Sequence, residues 1–357
     1  MSDVDKSGVA QTENVSGKPR RRGCLGHCAK FWWAYLILVV VIVVVVVPVV
    51  LLVAVPKIAQ QKLDDAELIL DGISVYNTQG QNMTMSINST IKTDGSVHAD
   101  IEGFVGDMYL EDHKPHTPFA RVNFPATTAD AFQTVNVTQF LPIHDVEALT
   151  IFNTWLLANR TLRVTVQGDT NVRVRGIARN YPVTFKKTVT TPGLRMLEGT
   201  VVNPEWIGIE SDENGNNFRA TTIIPNHSRV SFELGNTTFH NYLLGKEVGT
   251  VFIDGLTLRP GLNEYPMRAT IKNDAVIEVL GQKPYCEEGG VLPFQIRGKT
   301  VVNNGQALPY FADALASANQ TIDIPIGAAV NKSLGIVIPC GGLGGGGEKR
   351  KRSSLLF

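Results

Sequence analysis

From Phe31 to Val55 the chain runs twenty-five residues without a charge, and Val39 to Val47 are all valine except Ile42. At ~1.5 Å rise per residue a helix of this length covers roughly 37 Å, enough to cross a ~30 Å hydrocarbon core with some tilt. Valine's branched Cβ weakens helices in water, but in lipid an isolated segment can satisfy its own backbone only as a helix. The stretch is therefore expected to be a transmembrane helix that contacts membrane lipids along its length. Pro48 removes one backbone donor and is expected to kink the helix near its far end. A cleaved signal peptide is the rival reading, but its apolar region usually runs ~7 to 15 residues, far less than this one.

Charge sorts across the run. Residues 1–30 carry Lys6, Lys18, Arg20, Arg21, Arg22 and Lys30 against three carboxylates, whereas Lys57 and Lys62 are soon followed by Asp64, Asp65 and Glu67. An excess of Lys and Arg marks the cytoplasmic flank, so the expectation is a type II signal anchor with a cytosolic N-terminus. Zero net charge over the whole chain argues against a nucleic-acid partner. Trp32, Trp33 and Tyr35 stand where an interfacial aromatic belt belongs, and Lys18 to Arg22 is placed to meet anionic lipid or to act simply as a topology signal.

Eight Asn-x-Ser/Thr triplets begin at Asn82, Asn88, Asn136, Asn159, Asn226, Asn236, Asn319 and Asn331, all after the apolar run. They are candidate glycosylation sites and agree with a lumenal C-terminal bulk. The cysteines divide the same way. Cys24 and Cys28 are candidates for palmitoylation beside the span or remain free thiols, and with His27 they lack a fourth ligand for zinc. Cys286 and Cys340 fall in an oxidising compartment and are a candidate disulfide.

Residues 1–30 read as a disordered cytosolic tail, 31–55 as the span and 56–66 as a short helix or stalk. Beyond Leu68 the apolar period becomes two. From Asn82 to Lys92, Met83, Met85, Ile87 and Ile91 alternate with polar residues, the signature of a half-buried strand. Asp94-Gly95 is expected to make a hairpin turn to Val97, Ala99, Ile101 and Val105, and Asp254-Gly255 another turn. Leu162 to Gly168, Asn171 to Ile177, Pro182 to Thr190, Phe218 to Ile224, Arg229 to Leu234, Val248 to Ile253 and Thr321 to Ile326 are expected as further short strands, in a mainly antiparallel β fold. One segment departs from this: Val146, Leu149, Phe152 and Leu156 predict a single amphipathic helix over 145–158.

The chain also echoes itself. Val166-Gln167-Gly168-Asp169-Thr170-Asn171-Val172 is similar to Ile296-Arg297-Gly298-Lys299-Thr300-Val301-Val302 at an offset of 130, and Tyr109-Leu110 corresponds to Tyr242-Leu243. Two modules of one fold are expected, 67–203 and 204–340, divided by a turn near Asn203-Pro204. After them 341–357 reads as a disordered tail, whose basic Lys349 to Arg352 is a candidate processing site.

No nucleophile elbow, zinc-protease signature, phosphate loop or dinucleotide fingerprint occurs, and no cofactor or metal site is expected. The densest titratable cluster, Glu111-Asp112-His113-Lys114-Pro115-His116, matches no metal-ligand spacing and reads as a surface loop. Arg163, Arg173, Arg175, Arg179, Lys186 and Lys187 give the neighbouring strands a basic face, either solvated or meeting lipid head groups or an acidic partner. Whether the apolar interior is a packed core or a groove cannot be read from alternation.

His27-Cys28-Ala29-Lys30-Phe31-Trp32-Trp33 running into the span, then Pro56-Lys57-Ile58-Ala59-Gln60, then Gly249 to Gly261 and Tyr265-Pro266-Met267, resembles the fungal single-pass membrane proteins with late-embryogenesis-abundant type 2-like modules. The resemblance covers roughly 24–340. It implies two tandem seven-stranded, immunoglobulin-like β-sandwiches at a fungal endomembrane, first among them the vacuole, with the plasma membrane as the alternative, and it supplies no catalytic residues. The expectation is a non-enzymatic membrane glycoprotein whose lumenal modules bind a protein or lipid partner. The alternative is a lipid carrier with an apolar groove between the sheets.

Overall fold

A computed structural model describes residues 24–341, with side chains from residue 32 onward. Lys18 to Arg22, the side chains of Cys24 and Cys28, and the C-terminal segment with Lys349 to Arg352 lie outside the described residues.

The chain forms two compact units, Met1–Lys57 and Ile58–Phe357. In the first, α1 (Cys24–Val49) passes into a π-helical turn, Val50–Ala54, closed by Val55 N–H donating to Val50 O. Pro48 sits just before that turn. Its ring crowds the carbonyl one turn back, that of Val44, and it has no N–H to give, and a wider turn is one way a helix absorbs such a defect. The helical run from Trp32 to Asp65 is long and apolar enough to cross a membrane, with mean hydropathy 3.8 in its most apolar window and none of that window buried.

The second unit begins within α2 (Val55–Asp65). Ala59 and Leu63, four residues apart and so on one helical face, are buried, which ties this segment to the β-strands that follow. Gln60 adds a two-way clasp, its Nε2 donating to Thr184 O at 2.9 Å and its Oε1 accepting from Thr184 N–H at 3.0 Å.

Two layers enclose the first half of the strands. On one side β1 (Glu67–Tyr76), β2 (Asn82–Lys92) and β7 (Phe132–Pro142) pair antiparallel in that order. On the other, β4 (Phe104–Leu110) lies between β5 (Ala120–Phe124) and β8 (Thr161–Val174), and β8 continues to β9 (Asn180–Pro192). Short β3 (Ala99–Ile101) pairs with β8 and with β6 (Thr127–Thr128). Alternation sets the facing sides: Met83, Met85 and Ile87 of β2 are buried between the layers while Asn88 is exposed.

The same pairings recur in the second half. There β10 (Val201–Ile207), β11 (Phe218–Asn226) and β14 (Gly261–Ile271) repeat β1–β2–β7. Next, β12 (Val230–Leu243), β13 (Lys246–Leu258), β15 (Val291–Asn303) and β17 (Gln320–Pro325) repeat β4, β5, β8 and β9, with β16 (Gln306–Ala307) added on β15. The register agrees with the sequence echo: Leu110 pairs Val164 as Leu243 pairs Phe294. A parallel ladder from β1 to β12, at Ile73↔Val230, Ser74↔Ser231 and Val75↔Phe232, runs the halves into one eleven-stranded sheet.

Several local expectations are corrected. Asp94-Gly95 is not a hairpin turn, because β3 leaves β2 for the opposite layer. The two strands expected over 162–177 are one, β8. Asp254-Gly255 lies inside β13, where Gly255 at φ 60° marks an irregularity, and the real turn is Leu244-Gly245, both at positive φ. Asn203-Pro204 is not a turn but part of β10. The helix over 145–158 is α3 (Val146–Ala158), capped by Asp145 accepting from Ala148 N–H at 2.9 Å. Three helices were not expected: α4 (Asn273–Leu280), α5 (Pro309–Ala316) and α6 (Ile326–Leu334), each too short for helical periodicity to stand out.

The halves differ at one edge. β13 pairs β14 across Gly249↔Ile271 to Phe252↔Arg268, joining the two layers of the second half, while β5 and β7 make no such ladder. Gly249 permits the approach: a Cβ there would lie 1.9 Å from Thr270 O, a backbone atom. Gly249→Ala is expected to cost about 1–3 kcal/mol through that overlap. Chemical denaturation of the full chain checks it, and an unchanged midpoint would show that the layers are not held together there.

Candidate functional site

Between the layers of the first half lies an apolar cavity of about 140 Å³. Its wall takes Ile73, Met85 and Val135 from one layer and Met108, Val164 and Phe185 from the other. Three thioethers, Met83, Met85 and Met108, give the wall adaptable side chains. At one end α5 closes it with Tyr310 and Phe311, the Tyr310 hydroxyl donating to Gln79 O at 2.8 Å while burial pushes its pKa up. Nearby, Asn153 Nδ2 donates to Tyr310 O at 3.3 Å, and the Thr191 hydroxyl, buried in the wall, has no hydrogen-bond partner.

The cavity reaches the surface beside Lys62, Asp94 and Pro125, where Ala59 and Leu63 of α2 also line it. Lys62 Nζ bonds Asp94 Oδ2 at 2.5 Å. That bond, followed by those from Ser96, holds the Asp94 carboxyl well below the usual carboxylate range. The lysine at this mouth is therefore matched.

A second, polar opening flanks the cavity. β1 and β9 lie side by side with no ladder between them, and a cleft runs from Asp64 to Leu70 on one bank and from Lys186 to Thr190 on the other, with Arg229 at its edge. Ala66, Leu68, Leu70 and Val189 line both cleft and cavity, so the two adjoin. Lys187 follows the inward register of Val183 and Phe185, and burial draws its ammonium below the usual lysine range. Its Nζ donates to Asp64 O at 2.7 Å, and Arg229 donates to Leu70 O at 2.8 Å.

In the second half the equivalent interior is smaller, about 60 Å³. Phe294 stands where the first half has Val164. At the equivalent edge β10 and β17 likewise form no ladder, and Gln320 at the start of β17 donates through Nε2 to Leu197 O at 3.0 Å and to Thr200 Oγ1 at 3.2 Å, both just before β10. The space between the two layers is thus larger in the first half, while the second half carries a further apolar pocket of about 270 Å³ lined by Phe218, Val276, Leu280 and Ile326.

The expected site residues are scattered. Asn88 and Asn136 face each other across the β2–β7 ladder and are exposed, as are Asn236, Asn319 and Asn331. Asn82 and Asn159 are half-buried, Asn159 Nδ2 donating to Trp155 O at 2.9 Å. Asn226 is corrected as a glycan acceptor: it is 3% exposed, its Nδ2 donates to Val230 O and Leu258 O, and its Oδ1 accepts from Ser228 N–H and Oγ. A sugar on that nitrogen has no room. Cys286 and Cys340 form a disulfide with Cα atoms 5.3 Å apart.

The Glu111–His116 loop turns its groups to separate partners. Asp112 accepts from Arg163, Glu111 accepts from Thr165, and His116 stacks on Tyr109. Among the described residues no group of three His, Cys, Asp or Glu is placed to hold a metal ion. The expected basic face divides too, since Arg163 bonds Asp112 and Arg175 approaches Asp100 to 3.9 Å, leaving Lys187 turned the other way into the cleft. The sequence grouped Lys187 with Lys186 on the basic face, whereas the alternation of β9 places it on the side of Val183 and Phe185.

Comparison with known proteins gives little beyond this geometry. Residues 117–241, which is 125 of the 357, are similar to a family described as "Protein of unknown function (DUF3712)". No curated protein matches the chain. Among solved structures, similarity is found to a β-galactosidase of Bacteroides fragilis described as putative (10% identity, 39% of this chain and 17% of that one, TM-score 0.19). It is also found to the transglutaminase of red sea bream (11%, 76% and 33%, 0.27) and to an adhesin of Mobiluncus mulieris (9%, 66% and 81%, 0.19). The chain spans 17% and 33% of the length of the first two. At these scores they define neither its fold nor its activity.

Asn226 supplies the test of the sequon geometry. Asn226→Ala leaves buried backbone groups unpaired and is expected to lower stability by about 1–3 kcal/mol, against about 0.5 kcal/mol or less for Asn88→Ala or Asn136→Ala. Thermal unfolding of the three full-length variants measures this, and equal shifts would contradict the buried role.

Proposed function

We propose that this chain is a membrane-anchored receptor or carrier for an apolar chain, taken up between the layers of the first of two tandem β-sandwich modules. The single observation that carries the reading is the apolar cavity of about 140 Å³ between the two layers of the first half. An unfilled void of that size costs on the order of 3 kcal/mol at ~24 cal/mol per Å³, and a fold gains that back when a ligand occupies the space. The wall is hydrocarbon and thioether, so the matching ligand is an alkyl or acyl chain. A cavity near 150 Å³ holds a ligand of about six carbons. Mouth residues Ala59, Lys62 and Leu63 follow the last residue of the expected span by four to eight positions in the sequence.

The remaining parts of the reading rest on the sequence. Basic residues before the span favour a cytosolic N-terminus, and the repeated strand pairing favours tandem sandwiches of the late-embryogenesis-abundant type 2-like kind. A fungal endomembrane, the vacuole first, is the proposed location. No catalytic constellation directs the reading toward an enzyme. A protein-binding role for the sandwiches is the second reading, favoured by the exposed outer face of β2 and β7, where Phe140 is 61% exposed.

Two measurements follow. With full-length protein in neutral-lipid nanodiscs, affinity for linear alkanols is expected to rise about fourfold per added CH₂, or ~0.8 kcal/mol, until about six to eight carbons and then flatten. Ala99→Leu, which fills the wall, is expected to raise the melting temperature and abolish this binding; a tighter-packed variant that still binds would refute the site. For orientation, endoglycosidase is expected to shift the chain on a gel while residues 58–357 resist protease in sealed vesicles. An unshifted, protease-sensitive chain would reverse the topology.

A further inference from the structure

We infer that the ligand is anionic, a single alkyl or acyl chain ending in a carboxylate or phosphate, with that head group held by Lys187 in the cleft between β1 and β9. The inference rests on the cavity reading above and adds the chemistry of the head. Two lysines reach the edges of the cavity, and they differ. Lys62 already has a carboxylate, Asp94, while among the described residues no carboxylate lies within 4.0 Å of the Lys187, Lys186 or Arg229 nitrogens. Lys187 is also the one that faces inward, on the same side of β9 as Val183, Phe185 and Val189. A lysine at an inward position gives up hydration, and a strand gains nothing by placing one there unless an acceptor meets it.

The acceptors now present are incomplete. Lys187 Nζ has one backbone oxygen, Asp64 O, and an ammonium has three donors to give. Asp64 and Glu67 also line the cleft and Asp65 lies near enough to act on Lys187, but Gln60 Nε2 already donates to the Asp64 carboxylate at 2.8 Å and none of the three carboxylates comes within 4.0 Å of Lys187 Nζ. Geometry ties this charge to the apolar site, because Ala66, Leu68, Leu70 and Val189 border both spaces. A chain in the cavity that leaves between them delivers its end to Lys187. The second half has no counterpart, since β17 carries no lysine.

The test compares heads on one chain. Full-length protein in nanodiscs of neutral phosphatidylcholine is titrated with decanoate, decyl phosphate and decanol. Decanoate and decyl phosphate are expected to bind at least tenfold tighter than decanol, by an ion pair worth about 1.4 kcal/mol or more at this partly buried site. Lys187→Gln is expected to remove that advantage while leaving decanol affinity unchanged. Because Lys187 also bonds Asp64 O, Arg229→Gln serves as a second variant away from that bond, with a smaller loss of two- to fivefold confined to the charged ligands. A carboxylate preference without a phosphate preference would keep the site and narrow it to fatty acids. Equal binding of all three ligands, unaffected by Lys187→Gln, would overturn the anionic assignment and leave the cavity reading standing. Binding of none would overturn both.

Discussion

The first half of the β unit is shaped by the divergence of β1 from its parallel partner. Ile73 to Val75 hold register with Val230 to Phe232, and then the ladder ends. At the irregularity between Leu70 and Gly72, β1 turns away, with Arg229 accepting from Ile73 N–H through its own carbonyl and donating from its guanidinium to Leu70 O. Beyond that point β1 faces β9, yet no hydrogen bonds cross between them. A sandwich whose edge strands meet would bury a tight core; one whose edges stay apart leaves both an unfilled interior and a side opening into it. Cavity and cleft thus adjoin where this pairing breaks.

Duplication makes the contrast readable, because the second half runs the same pairings to a different end. Its layers are joined by the β13–β14 ladder that Gly249 permits, and Phe294 fills space that Val164 leaves. The space between its layers is accordingly smaller, about 60 Å³ against about 140 Å³. The halves are also welded where they meet: Asn77 N–H and Asn303 Nδ2 both donate to the Glu233 carboxylate, and Thr78 Oγ1 donates to Glu233 O. Tyr310 and Phe311 of α5, contributed by the second half, stop the far end of the first half's cavity. One module therefore completes the wall of the other.

Much of this was legible in the sequence, and the exceptions have physical causes. The long apolar run, the period-two alternation of β2 and the helical spacing of Leu149, Phe152 and Leu156 depend only on local order, and the structure keeps each of them. The echo at Gly168 and Gly298 pointed to a repeat, and the two glycines fall at matching points of β8 and β15, but the pairing of the strands was not in it. Asp94-Gly95 misled because turn chemistry specifies a reversal of direction but not which sheet the next strand joins. Asp254-Gly255 misled because a glycine at positive φ serves a bulge as well as a turn. The cavity was invisible for a deeper reason: packed and unpacked interiors have the same alternation, and the difference lies in side-chain volumes across two layers. Lys187, by contrast, was in plain view as a charge on an apolar face.

The central claim is that the interior of the first half is a ligand site rather than a packed core. Native mass spectrometry of the full chain, released from nanodiscs prepared with cellular lipid extract, addresses it most directly. The account predicts one single-chain lipid adduct per protein chain, absent from Ala99→Leu. A bare protein mass, or an adduct that survives Ala99→Leu unchanged, would contradict it.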